Sequence, residues 1–273
     1  MEESDSILNH LRALFQKIRE AVMTSNSGEW GQLGRNAKGD SVKWFDLAAD
    51  RAACDYLEND FPYSVRLLSE EGAPRQFGCG QPEFTMVLDP VDGSDNFARG
   101  IPLSGTAIAL IPADLPVNVE TVQFALVGNL FSGTLWLAER GKGASFAGQP
   151  IQSRLVRLAD TLLSFDTNQA VVEPRLAALL SQAHGARSFC AAAVILAMVA
   201  DGTLGAHLDL TGNLTPENFL ASSLVITEAG GMITDPSGKP LPNIEALTEG
   251  YLVVAAATPD LHATLLEGLK PSG

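Results

Sequence analysis

The chain is poor in several things, and each shortage excludes something. It has only three cysteines in 273 residues, Cys54, Cys79 and Cys190, scattered and odd in number, with no CxxC pair and no Cys/His cluster. That argues against a disulfide framework and against a zinc site. Histidine is scarce at four, and none lies beside the acidic motifs described below, so no chemistry here has to rest on a histidine base. Basic residues number 18 against 32 acidic ones, a net charge of −14. A surplus of that sign disfavours sequence-independent binding to nucleic acid or to an anionic membrane. No apolar run approaches the roughly 20 residues that span a bilayer, and the acidic start Met1-Glu2-Glu3-Ser4-Asp5 lacks a basic-then-apolar targeting pattern. A cytoplasmic location is the simplest expectation.

What is present is a globular composition, 46% hydrophobic and 18% charged, in a chain long enough for one large domain or two packed lobes. Apolar residues at helical spacing predict a helix over 7–23. A Gly/Ser/Asn-rich stretch follows over 25–40; its Lys38 is a candidate anion partner, though a solvated loop lysine is the plainer reading. A second helix is predicted over 46–57, with Asp46 at its head. Strands are predicted over 65–68, 85–88, 106–111, 122–127, 134–138, 162–165, 205–210 and 251–257, and further helices over 174–184, 191–200, 216–229 and 260–269. Met86 and Met232 read as core. Two lobes are expected, 1–145 and 146–273, with no change in composition to mark the boundary.

The most informative segment is Asp89-Pro90-Val91-Asp92-Gly93-Ser94-Asp95-Asn96, which follows the apolar run Thr85-Met86-Val87-Leu88. The acidic pair Glu70-Glu71 follows a similar run, Val65-Arg66-Leu67-Leu68. Two neighbouring strands that each end in carboxylates give a hard divalent cation such as Mg²⁺ a few oxygen ligands and leave positions for water and phosphate. Pro90 and Gly93 predict a tight turn between the two aspartates, and Gly93-Ser94 offers backbone N–H groups to a phosphate oxygen. Strand alternation assigns Glu71 to the face opposite Glu70, as a supporting residue. The plain alternative for Asp-Pro-x-Asp-Gly by itself is a solvated turn.

Taken with Asn96-Phe97, Gly100-Ile101-Pro102, Thr227-Glu228-Ala229-Gly230-Gly231 and Asp235-Pro236-Ser237-Gly238, these segments resemble the inositol monophosphatase family of Mg²⁺-dependent, lithium-sensitive phosphatases, over most of the chain. The wording Ala98-Arg99-Gly100-Ile101-Pro102 is most similar to the archaeal-type branch, whose members often accept both inositol phosphates and fructose 1,6-bisphosphate. The resemblance implies an α/β (α+β) fold, a layered αβαβα sandwich, as a homodimer. It implies Glu70, Asp89, the Val91 carbonyl and Asp92 as metal ligands, and Ser94 as the hydroxyl beside the attacking water. Asp46 is implied as the acid bonded to that hydroxyl. Glu70, Ser94 and Asp46 are thus the catalytic candidates. The implied cofactor is Mg²⁺, two or three ions, with Mn²⁺ as a substitute and Li⁺ and Ca²⁺ as inhibitors.

The chemistry agrees with the residue types. Phosphate-ester hydrolysis needs charge neutralised on the phosphoryl oxygens, an activated water and a stabilised leaving alkoxide, and a shared carboxylate such as Asp89 can bridge two metals ~3.5–4 Å apart. Substrate or phosphate contacts are expected from Gly93, Ser94, Ala191, Ala192 and Asp209; for Asp209 an exposed strand-end acid is an equal alternative.

The chain departs from the family at the fourth carboxylate. Where relatives have Trp-Asp at the start of a helix, this sequence has Glu217-Asn218. An Asn218 carbonyl can bind Mg²⁺ but brings no charge, which predicts a weaker second metal site and a higher Mg²⁺ requirement. Glu217 has reach to compensate but lies about 100° around the helix, and a helix-start cap is the alternative role for Asn218. Thr211-Gly212-Asn213 carries no arginine, which lowers fructose 1,6-bisphosphate as substrate. The expected function is hydrolysis of a small polyol or sugar phosphate. A nucleotide 3′-phosphatase is a second reading, and a catalytically weakened, metal- or phosphate-binding regulatory protein a third.

Overall fold

A computed structural model describes residues 2–25, 34–35, 41–154, 156–167 and 172–270. Lys38 and most of the 25–40 stretch lie outside the described residues.

Helix α1 (Glu2–Thr24) buries Ile7, Leu11, Leu14, Phe15, Ile18 and Val22, the stripe that its apolar spacing predicts. The two-residue strands β1 (Gly34–Arg35) and β2 (Ser41–Val42) pair and lead into α2 (Trp44–Asn59). Strands β3 (Val65–Ser69), β4 (Gly72–Phe77), β5 (Phe84–Asp92), β6 (Gly105–Pro112), β7 (Phe124–Asn129), β8 (Leu135–Glu139), β9 (Gly143–Phe146) and β10 (Gln149–Ile151) form one sheet in the order β10-β9-β8-β7-β6-β5-β3-β4. All its pairs are antiparallel except β3 with β5. The five-residue helix α3 (Ser94–Ala98) follows β5.

A second sheet has the order β12-β11-β13-β15-β14, from β11 (Leu162–Asp166), β12 (Gly185–Arg187), β13 (Ala206–Leu214), β14 (Met232–Thr234) and β15 (Tyr251–Ala256). Strand β11 runs parallel to both neighbours, and the other pairs are antiparallel. Its helices are α4 (Pro174–Gln182), α5 (Ala192–Ala200), α6 (Pro216–Glu228) and α7 (Pro259–Leu269).

Three apolar clusters set the layers. Helices α1 and α2 pack on one face of the large sheet, against Val65, Leu67, Met86, Leu88, Ile108 and Leu126. The opposite face, through Val87, Ala107, Ala109 and Val127, packs on α5 and α6, which also meet Val253 and Ala255 of the second sheet. Leu163, Ala206, Leu208, Val254 and Ala256 face α4 and α7 on the far side. The order is αβαβα. Helix α5 is apolar all round and α6 is buried nearly all round, because both their sides are covered by sheet.

Most predicted elements are present with ends shifted by a few residues. Strands β4, β12 and β14 carry no strong apolar pattern and, like the short strands β1, β2, β9 and β10, are absent from the sequence reading. Met232, read as core, is 37% exposed on the edge strand β14.

Candidate active site

The parallel pairing of β3 and β5 puts Ser69 beside Leu88, so the ends of both strands arrive together. Glu70 and Glu71 leave β3 in the turn to β4, while Asp89 and Asp92 lie within the last residues of β5. The expected tight turn between the two aspartates is instead an irregularity in the β5–β6 register between Asp89 and Asp92. The Thr106 hydroxyl donates to the Pro90 carbonyl (2.8 Å) and the Ser104 hydroxyl to the Asp92 carbonyl (2.7 Å), holding this segment on β6. The chain turns after it, at Gly93, whose φ of +71° is left-handed. A Cβ there would lie 2.8 Å from that of Ala191, so glycine is required on two counts.

One cavity of about 310 Å³ collects the acids. Its wall includes Asp46, Glu70, Asp89, Val91, Asp92, Gly93, Ser94, Ala192, Asp209 and Asn218, all residues singled out in the sequence. Ala191 is buried under Gly93 and is not part of the wall. Glu71 shares the wall with Glu70. The two sit in a turn, where the alternation that holds along a strand does not apply. The wall also contains Asp95, Asp166, Cys190, Asn213 and Leu214. Among its described residues there is no lysine or arginine.

Asp89 and Asp92 are almost completely buried. Asp92 Oδ2 accepts from the Val194 N–H at 3.1 Å, in the first turn of α5. Asp89 Oδ1 accepts from the Val91 N–H (3.0 Å). Burial first of all, then the charges of Asp166 and Glu70, push the Asp92 carboxyl up to about 7 against its backbone donors. Burial likewise lifts Asp46 to about 6. Carboxyls buried and crowded together on a wall without a cationic side chain among its described residues are short of positive charge, and their donor set is entirely oxygen. Glu70, Asp89, Asp92 and the Val91 carbonyl therefore suit a hard dication.

Asp46 stands in the first turn of α2, and its Oδ2 accepts from the Lys43 N–H (2.8 Å) at the helix start. The hydrogen bond recorded at the Ser94 hydroxyl comes from Lys43 Nζ (3.0 Å). Lys43 thus touches both partners of the expected Asp46–Ser94 pair. The same ammonium lies 2.9 Å from Asp95, holding its carboxyl below the usual range with help from Arg99 at 3.1 Å. These two cations offset the negative charge that Asp95 places beside the Gly93–Ser94 turn. Nothing in the order of residues around Lys43 signals this contact, which spans 51 positions.

Asn218 is the third residue of α6, inside the helix and past Thr215, so it is not the cap. Its Nδ2 donates to Asp89 Oδ2 (2.6 Å) and its Oδ1 accepts from the Thr215 hydroxyl (3.0 Å). The amide therefore presents a donor to the acidic cluster. Glu217 is buried beside it, bonded to Thr215, and is not on the cavity wall.

Asp209 lies near the middle of β13, where Thr211 donates to its Oδ1 from both the N–H (2.8 Å) and the hydroxyl (2.6 Å). It is 1% exposed, which rules out the surface acid of the alternative reading. Asp166 stands beside it in the parallel β11–β13 register, and His207 lies two residues before it on β13. Burial lowers the affinity of the His207 imidazole for a proton.

Comparison with known proteins identifies the family. The model of the inositol monophosphatase family matches residues 3–272. A fructose-1,6-bisphosphatase/inositol-1-monophosphatase of Thermococcus kodakarensis is 31% identical over 267 residues, 98% of this chain and 97% of that protein. Inositol monophosphatase 1 of Solanum lycopersicum is 31% identical over 243 residues, covering 85% and 84%. In three dimensions, a solved inositol monophosphatase–fructose 1,6-bisphosphatase superposes with a TM-score of 0.82 at 23% identity, over 96% of this chain and 98% of the other. With a family match over nearly its whole length and the acidic cavity in place, this chain belongs to the inositol monophosphatase family.

Proposed function

We propose that this phosphoric monoester hydrolase is Mg²⁺-dependent and acts on the phosphate ester of a small polyol, of the inositol monophosphate kind. The observation that carries this reading is the convergence of Glu70, Asp89 and Asp92 on one cavity of about 310 Å³. Glu70, Asp89, Asp92 and the Val91 carbonyl would hold Mg²⁺, with Asn218 joining after its amide turns to present oxygen. Bound there, Mg²⁺ would neutralise phosphoryl charge and make a neighbouring water more acidic.

The chain's own groups do the rest. The Gly93 and Ser94 N–H groups receive a phosphoryl oxygen at the turn. Glu70 accepts a proton from the attacking water. Ser94 accepts from Lys43 Nζ, which leaves its own hydroxyl hydrogen to orient that water, and Asp46 holds Lys43 through its backbone N–H. The P–O bond to the polyol breaks as the water oxygen bonds to phosphorus, and the departing alkoxide takes a proton from a solvent water in the open cavity, while the proton on Glu70 returns to solvent. A polyol hydroxyl would meet the wall at Asp209 and at Ala192 of the α5 start, whereas Ala191 lies buried behind it. The lack of a cationic side chain among the described wall residues favours one phosphate over two. We further propose two or three Mg²⁺ per chain, Mn²⁺ as a substitute, competition by Li⁺ and Ca²⁺, a homodimer and a cytoplasmic setting. Residues 1–145 and 146–273 are proposed as lobes that share the site.

The test is phosphate release from a panel of polyol, sugar and nucleotide phosphates across a Mg²⁺ titration. Turnover should be greatest on polyol monophosphates. It should fall by more than about a hundredfold in Asp92→Asn, beyond the upper range for residues one layer outside a metal. If no ester turns over at saturating Mg²⁺, while Asn218→Asp is active, the native protein is a binding protein and this reading fails.

A further inference from the structure

We propose that Asp166, His207 and Asp209 form a cation site of their own, taking one dication of the zinc, cobalt or manganese class. Potential ligand atoms of the three residues all lie within 4.8 Å of one another. The backbone builds the group. Parallel register sets Ser164 beside His207 and Asp166 beside Asp209, so the side chains at 164, 166, 207 and 209 share one face of the second sheet. The intervening Leu163, Ala206 and Leu208 face the outer helices α4 and α7, which leaves these polar residues on the inner face.

The observation that points to a ligand is His207. It is 0% exposed, and neither ring nitrogen has a hydrogen-bond partner among the described residues. A buried imidazole without partners is unfavourable, and a cation bonded to one nitrogen removes that cost. The donor set then selects the ion. Imidazole suits zinc, cobalt and other transition ions better than Mg²⁺ or Ca²⁺. One neutral imidazole and two carboxylates balance a dication. Asp166 and Asp209 are on the cavity wall and His207 is not, so the protein closes the site from beneath and leaves it open toward the cavity. Three protein ligands with an open position is the pattern of reactive rather than structural zinc sites. The Thr211 bonds to Asp209 and the Ser188 hydroxyl, 3.4 Å from Asp166 Oδ1, orient the carboxylates. The shortage of cysteine disfavours the usual zinc site, but this one needs none. The proposal does not depend on the phosphatase reading.

The experiment is a Co²⁺ titration of the full chain in excess Mg²⁺, read by visible absorption and metal content, with circular dichroism to establish folding. One equivalent of Co²⁺ should bind with ligand-field bands that Mg²⁺ does not displace. Asp166→Asn and His207→Leu should each weaken it more than about tenfold, whereas Asp89→Asn should not. Loss of the Co²⁺ bands in Asp89→Asn with retention in Asp166→Asn would place the ion among the phosphatase carboxylates and overturn the proposal. If His207→Leu does not fold, ¹⁵N resonances of the native histidines on Zn²⁺ addition decide. A shift of the buried His207 ring nitrogens supports the site, and no shift refutes it.

Discussion

Asp92 and Asp46 are carboxyls that the bare protein holds protonated longer than water would. Burial raises them to about 7 and about 6, against about 3.9 in an unfolded chain. A raised acid binds its proton more tightly folded than unfolded. The metal-free protein is therefore most stable below about pH 4 as regards these groups, and it loses stability as pH climbs through 6 to 7. Cations bind the ionised form. The rise in melting temperature on adding Mg²⁺ should accordingly grow from pH 5.5 to pH 8, with protons released on binding in calorimetry. A Mg²⁺ effect independent of pH would contradict the assignment of Asp92. Asn218 offers a sharper test, because its amide donates to Asp89. Asn218→Asp removes that donor and adds a like charge, so the metal-free variant should lose about 1–3 kcal/mol. Its half-saturating Mg²⁺ should fall about tenfold, equivalent to about 1.4 kcal/mol of added attraction, as read from rate against Mg²⁺. Glu70, Asp89, Asp92 and Ser94 were legible in the sequence because they sit in two short segments. Asp166, His207 and Lys43 were not, because single polar residues on ordinary-looking segments acquire meaning only from their neighbours in space.

At the scale of elements, the turn at Gly93 and the start of α5 form one unit. The left-handed turn is packed on Ala191, and the next turn of α5 donates to Asp92. Gly93→Ala should therefore act twice. Left-handed strain costs about 1–2 kcal/mol and overpacking about 1–3 kcal/mol, and α5 must shift away from the Asp92 carboxylate. Urea unfolding should show the first effect and a raised Mg²⁺ requirement the second. Stability loss with unchanged Mg²⁺ dependence would show that α5 does not hold Asp92 in place. The helices and inner strands of this region were legible because their apolar period is strong, as in α1 and β6. Strands β4, β12 and β14 were not. Gly-Ala-Pro-Arg-Gln-Phe and Gly-Ala-Arg carry no alternating apolar pattern, and edge position rather than propensity makes them strands.

Across the whole molecule, α5 and α6 lie between the two sheets and belong to the core of both. Phe219 of α6 is fully buried there and meets Tyr251 of β15 edge-on at 5.5 Å. Phe219→Ala should cost about 3–5 kcal/mol and lower one cooperative transition seen alike by fluorescence and circular dichroism. Two separate transitions would mean that the sheets unfold independently and that the shared layer does not couple them. The sequence by itself determined the family, the long helices, most inner strands and the carboxylates that gather on one cavity, because local motif and apolar period carry that information. Only the tertiary structure decided that Asn218 offers Asp89 a donor, that Lys43 holds Ser94 and Asp95, and that Asp166, His207 and Asp209 meet. Those contacts depend on strand register and on the packing of α5 and α6 between two sheets, which bring together residues that no local pattern relates.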